Sequence, residues 1–117
     1  MRLKPAVALL FLLAPPLAAG EGRYIVCDNG LRCFKAPCPS STVWELATGQ
    51  AFKGSYPDIS RLSEADQQRI RDTDALYFGR LVLAGRVERR EQNGSSLIVT
   101  GIERATTKAE RRHCPAG

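Results

Sequence analysis

Apolar residues follow three rhythms along this chain: one unbroken run, several strict alternations and one sparse helical spacing. The run is Ala6 to Ala14, far short of the roughly 20 residues a membrane-spanning helix needs. The alternations begin at Tyr24-Ile25-Val26-Cys27, β-branched and aromatic, which predicts a first strand. Asp28-Asn29-Gly30 is a turn signal, and Cys33 to Ser41 is a proline- and serine-rich loop. Thr42 to Leu46 predicts a second strand, with Val43 and Glu45 on one face and Trp44 and Leu46 on the other. Ala47-Thr48-Gly49-Gln50 turns the chain, and Ala51-Phe52-Lys53 returns as a third strand, closing a hairpin. Gly54 to Pro57 is a polar connection.

The helical spacing follows. Asp58 to Leu62 is expected as an irregular first turn, and Ser63-Glu64-Ala65-Asp66 as a capping box. The helix should run to about Asp72, with acids first and Arg69 and Arg71 last, matching the helix dipole. Its apolar face is thin: Leu62, Ala65 and Ile70. The longest alternations are Phe78 to Arg89 and Ser95 to Arg104, around Glu91-Gln92-Asn93-Gly94. Asn-Gly predicts a two-residue type I′ turn. That turn would set Val87 opposite Thr100, Gly85 opposite Ile102 and Arg89 opposite Ile98. Leu81, Leu83, Val87, Ile98 and Ile102 then share the expected core face; Val82, Ala84, Leu97 and Val99 share the other with Arg86 and Glu88. Trp44, Phe52 and Phe78 are read as core, and Gly79, Gly85 and Gly101 as bends or close approaches. Thr106 to Gly117 is a polar, basic tail tied down through Cys114. The expected fold is α+β: a small antiparallel sheet of about five strands with one helix, disulfide cross-linked. A five-stranded, partly closed barrel is the alternative. No internal repeat or low-complexity run is evident.

The N-terminal pattern adds a compartment. Arg2 and Lys4 precede the apolar run, Pro15-Pro16 end it, and Leu17-Ala18-Ala19-Gly20 offer small residues to a peptidase. This is the pattern of a cleaved secretory signal over residues 1–20, cut after Ala19 or Gly20. A lipoprotein box would require cysteine at position 21, where Glu21 stands. Beyond it lie 97 of the 117 residues, a single small domain, residues 21–117, destined for the periplasm or for secretion, with no membrane span in its mature form. A chain this short has a marginal core, which covalent links would reinforce.

All four cysteines, Cys27, Cys33, Cys38 and Cys114, lie in that part. An even number in a short exported chain reads as disulfides. We favour Cys33–Cys38, across the proline-stiffened Phe34-Lys35-Ala36-Pro37, together with Cys27–Cys114. Cys27–Cys38 with Cys33–Cys114 stays open. A zinc site would draw on the same cysteines and His113, but His113-Cys114 lacks the spacing of a ligand pair. No Cys-x-x-Cys pair supports thiol–disulfide catalysis.

Asp28-Asn29-Gly30-Leu31-Arg32-Cys33, followed by Pro37-Cys38-Pro39-Ser40, resembles a module in a family of uncharacterised bacterial exported proteins, in which Gly-apolar-x-Cys precedes Pro-Cys-Pro-Ser and a strand. Asp58-Ile59-Ser60-Arg61-Leu62 and Gly79 to Val87 are similar to that family's short helix and following strand. The resemblance covers residues 24–104. It implies export, this fold and the Cys33–Cys38 link, and it implies no activity. Cys27 and Cys114 lie outside its pattern.

No catalytic residues are expected. His113 sits in a tail read as flexible, without the fixed partner a general base requires. Asp58, Glu64, Asp66, Asp72 and Asp74 surround the helix, where capping and solvation account for them, and Asp72-Thr73-Asp74 completes no calcium loop. Phosphate loops, nucleophile elbows and dinucleotide fingerprints are missing, so neither cofactor nor metal is expected. Charge remains. Without Arg2 and Lys4, 15 basic face 12 acidic residues. The excess lies from Arg80 onward, where eight basic face four acidic residues. Arginine dominates, and guanidinium suits bidentate contact with phosphate or carboxylate. Arg86, Arg89, Arg90, Arg104, Arg111 and Arg112 are therefore the candidate contacts for an acidic protein or an anionic envelope polymer. The expected product is a monomeric, non-enzymatic binding domain that does not bind nucleic acid. A secreted enzyme inhibitor probing with Phe34-Lys35-Ala36-Pro37 is the alternative, and a small envelope enzyme is the third class.

Overall fold

The computed structural model describes residues 21–90 and 94–116. The expected signal, residues 1–20, lies outside them, as do Glu91, Gln92 and Asn93 of the expected turn. The strands are β1 (Gly22–Asp28), β2 (Ser41–Glu45), β3 (Ala51–Lys53), β4 (Tyr56–Asp58), β5 (Gly79–Arg89) and β6 (Ser95–Ala105). Two helices, α1 (Glu64–Thr73) and α2 (Ala75–Phe78), lie between β4 and β5. The strands form one sheet in the order β3-β2-β1-β5-β6-β4.

Six strands replace the expected five, and the sheet is mixed rather than antiparallel. The added strand, β4, pairs parallel with β6, Tyr56 facing Ser96 and Asp58 facing Ile98. The sequence shows it only as a polar connection, because three residues around a proline show no alternation and their partner lies far along the chain. Pro57 fits an edge strand, where a missing amide is tolerated. The outermost strands, β3 and β4, are neighbours in sequence, joined by Gly54-Ser55, so the sheet curls into a half-barrel. The Gly54 amide donates to the Ser41 carbonyl at 2.8 Å. The Ser95 and buried Ser55 hydroxyls meet at 2.9 Å. This corner thus ties into both margins of the sheet.

The β5–β6 register differs from the expected one. Arg89 faces Ser95, Val87 faces Leu97, Gly85 faces Val99 and Leu83 faces Ile102. The Arg90 amide donates to the Gly94 carbonyl, so the pairing takes in Arg90 and Gly94 in place of the expected facing of Gln92 and Ser95. The shift is odd near the hairpin, which turns Leu97 and Val99 toward the main core in place of Ile98. Register irregularities between Val82 and Leu83 and between Ala84 and Gly85 then restore Ile102 to that side. Gly85 permits this approach: a Cβ there would strike the Ile98 carbonyl.

β1 alternates Tyr24 and Val26 with Ile25 and Cys27, and both faces are buried. Tyr24, Val26, Val43, Leu83, Leu97 and Val99 form the main core with Leu62 and Ile70 of the helical segment. Ile25, Cys27, Val82 and Cys114 form a smaller cluster on the other face, against Trp44 and Leu46. Phe52 is half-buried against the main core. The Ser63 hydroxyl caps α1 by accepting from the Asp66 amide at 3.1 Å. Ala65, expected on its apolar face, is exposed. Asp74, left-handed at φ 51°, ends α1. Phe78 closes α2 rather than opening β5. Strand alternation and a single helical turn cannot be told apart over so few residues.

The bonded cysteines are Cys27 with Cys114 and Cys33 with Cys38, and no described cysteine is free. The first bond closes 87 residues and the second five. In the chain-entropy model, replacing Cys27 and Cys114 by serine lowers the unfolding free energy by about 4–5 kcal/mol, against about 2 kcal/mol for Cys33 and Cys38. Urea unfolding of the two double variants checks that order. Gly85→Ala should cost at least about 2 kcal/mol through overpacking against β6 backbone, seen as a lower urea midpoint.

Candidate functional site

Where β1 ends and β2 begins, the chain leaves the sheet as a loop that its own side chains hold. The Asp28 carboxylate accepts the Gly30 amide at 2.9 Å, and the Asn29 side-chain oxygen accepts the Leu31 amide at 2.9 Å. These are Asx turns, the reason such residues populate turns. The Asn29 amide donates to the Ser40 carbonyl, and its side chain donates to the Pro39 carbonyl at 3.1 Å, fastening both ends of the loop. Arg32 bonds Asp28 at 3.1 Å and the Tyr77 hydroxyl at 3.3 Å. Within this frame the Cys33–Cys38 bond closes a tight ring containing a cis Ala36–Pro37 peptide.

The ring turns its apolar tip outward. Phe34 is 109 % exposed and Leu31 44 %. Beside the loop a groove of about 200 Å³ runs between Pro37, Pro39, Ser55, Tyr56, Pro57 and Arg90. Tyr56 is itself 59 % exposed, with the Arg90 guanidinium 5.9 Å above its ring. A wider recess of about 490 Å³ continues past Leu31, Pro39, Lys53 and Gly54. Lys35, Lys53, Arg89 and Arg90 are exposed around this end. Phe34-Lys35-Ala36-Pro37 was legible as a presented loop. Tyr56 carried no sequence signal, because its place depends on the parallel pairing of β4.

The six candidate arginines do not form one surface. Arg89 faces Ser95 by the hairpin, whereas Arg104 faces Val82 toward the far end of the ribbon, about 20 Å away at strand rise. Several have internal partners. Arg86 bonds Glu88 at 2.8 Å. Arg104 grips both Glu110 carboxylate oxygens at 2.9 and 2.8 Å. Arg111 donates to the Thr106 carbonyl and hydroxyl, both at 2.9 Å, and Arg112 to the Ala109 carbonyl. Arg90 borders the loop-side groove, whereas Arg89 lines a separate recess with Phe52, Lys53 and Gly94.

The tail is docked rather than flexible. The Thr106 hydroxyl donates to the Gly79 carbonyl at 2.7 Å, its amide to the Arg80 carbonyl. Thr107 and Glu110 exchange side-chain bonds with each other's amides. The His113 ring stacks on Trp44 with centroids 4.4 Å apart. His113 is thus held by an aromatic plane. The Trp44 Nε1 beneath is buried without a hydrogen-bond partner among the described residues. Every described cysteine is held in a disulfide. Among the described residues no helix is long and apolar enough to cross a membrane. Compared with protein-family models, with curated proteins and with solved structures, the chain matches none.

Arg104 and the Thr107 amide hold the Glu110 carboxyl well below its usual value, at about 2. A depressed carboxyl pKa stabilises the fold above the unfolded value and loses that stabilisation as pH falls through the folded one. Tail docking should therefore weaken between about pH 5 and 2. Amide exchange at Thr106 to Cys114 measures it, and Glu110→Gln should flatten the dependence there.

Proposed function

We propose that this chain is an exported, non-enzymatic binding domain that recognises a protein partner through its Cys33–Cys38 loop. The observation that carries the reading is the complete exposure of Phe34 on a ring closed by a disulfide and fastened by Asn29. Isolated apolar residues on a surface are ordinary. Phe34 differs because the segment around it is already ordered, so that docking costs little further conformational entropy. Leu31 and Tyr56 extend the apolar area, and the cations around it favour a partner with an apolar pocket and an acidic rim. The recognition element therefore moves from the basic region as a whole to this loop, with Arg90 at its border.

Two disulfides support residence in an oxidising compartment, periplasmic or extracellular, as do the N-terminal pattern and the resemblance of the Pro-Cys-Pro-Ser segment to exported proteins. A cross-linked loop bearing an apolar tip also suits inhibition of an exported enzyme, the second reading. The curled sheet by itself assigns no ligand.

Capture from an envelope fraction with the oxidised mature protein tests the proposal. A partner held by the wild type should be lost with Phe34→Ala, at a cost of about 2 kcal/mol or more for a central aromatic anchor. Arg89→Ala with Arg90→Ala should chiefly reduce salt sensitivity. A partner retained undiminished by Phe34→Ala would remove the loop from recognition.

A further inference from the structure

Away from the hairpin, α1, α2, β5, β6 and the tail border an open cleft of about 460 Å³. Arg69 of α1, Arg80 of β5 and Arg111 of the tail line it, beside Phe78, Leu81 and Ala105. No carboxylate is among its lining residues. Elsewhere Arg23, Arg32, Arg86 and Arg104 each have a carboxylate within 3.3 Å. Three arginines from three separate segments thus line one cleft whose wall carries no carboxylate. Arg111 is fixed by two bonds from one terminal nitrogen to Thr106, leaving three of its five donors for another acceptor. Arg80 lies 5.4 Å above the centre of the Phe78 ring, a contact that orients the group while its in-plane donors stay available.

We propose that this cleft binds a phosphate-type oxyanion carried by a small ligand whose body rests against Phe78, Leu81 and Ala105. Guanidinium forks match tetrahedral oxyanions through paired hydrogen bonds, and the open cleft leaves room for a small ligand beside them. The site is independent of the Cys33–Cys38 loop and shares no residue with it. Arg69 and Arg80 were not among the candidates from sequence. They lie on different elements, and only the docking of the tail brings Arg111 to them.

Titration of the mature protein with inorganic pyrophosphate, followed by NMR at the Gly79 and Thr106 amides and the arginine Nε groups, tests this. Saturable shifts confined to the cleft are expected. Arg69→Gln with Arg80→Gln, both at exposed positions, should weaken binding at least about tenfold and leave the fold intact by amide spectrum. Absent saturation, equal shifts at Arg89 and Arg90, or affinity unchanged in the double variant would overturn the assignment. Phosphatidylglycerol vesicles separate the sources of the group. Pelleting that pyrophosphate competes away and the double variant abolishes identifies a lipid headgroup. Pyrophosphate binding without pelleting identifies a soluble ester. Pelleting that survives the double variant overturns the proposal.

Discussion

A central strand buried on both faces sets the terms for the rest of this structure. β1 presents Tyr24 and Val26 to one side and Ile25 and Cys27 to the other, all nearly inaccessible. The curled sheet and the helical segment cover the first side. The second needs separate cover, which comes from the C-terminus through the Cys27–Cys114 bond. Gly79, left-handed at φ 67°, makes room for it, since a Cβ there would lie 2.7 Å from the Cys114 sulfur. A tail that reads as polar and loose is thus the lid of a second small core, and the longest-range covalent link lies where the cover is thinnest.

The same docking explains why net charge was a poor guide to surface function. Arg104 and Arg111 look available in a list of basic residues, yet one clamps Glu110 and the other secures Thr106. Arg104 is thereby occupied on both terminal nitrogens, whereas Arg111 keeps its remaining donors. The loop at the opposite margin is organised by short-range polar contacts from Asp28 and Asn29, which leave its apolar tip outside. Local hydrogen bonding fixes the loop, and long-range bonding fixes the tail.

The elements with strong alternation or a defined cap were legible: β1, β2, β3, the Ser63 start of α1 and the long pair β5 and β6. What escaped depended on non-local partners. β4 has three residues and acquires its identity only from β6. The β5–β6 register could not follow from Asn93-Gly94 alone, because a glycine-dependent close approach at Gly85 competes with the turn in setting the alignment. The loop tip at Phe34 was readable because its constraints lie within a few residues. The Arg69–Arg80–Arg111 cleft was not, because its three donors meet only after the helical segment and tail have packed.

The stack of His113 on Trp44 carries a practical corollary. This chain has one tryptophan and one histidine, and they lie in ring-to-ring contact at the point where the C-terminus settles on the sheet. All indole emission therefore originates at that seam, so its intensity is an intrinsic optical gauge of whether the closing segment is seated, with no label attached.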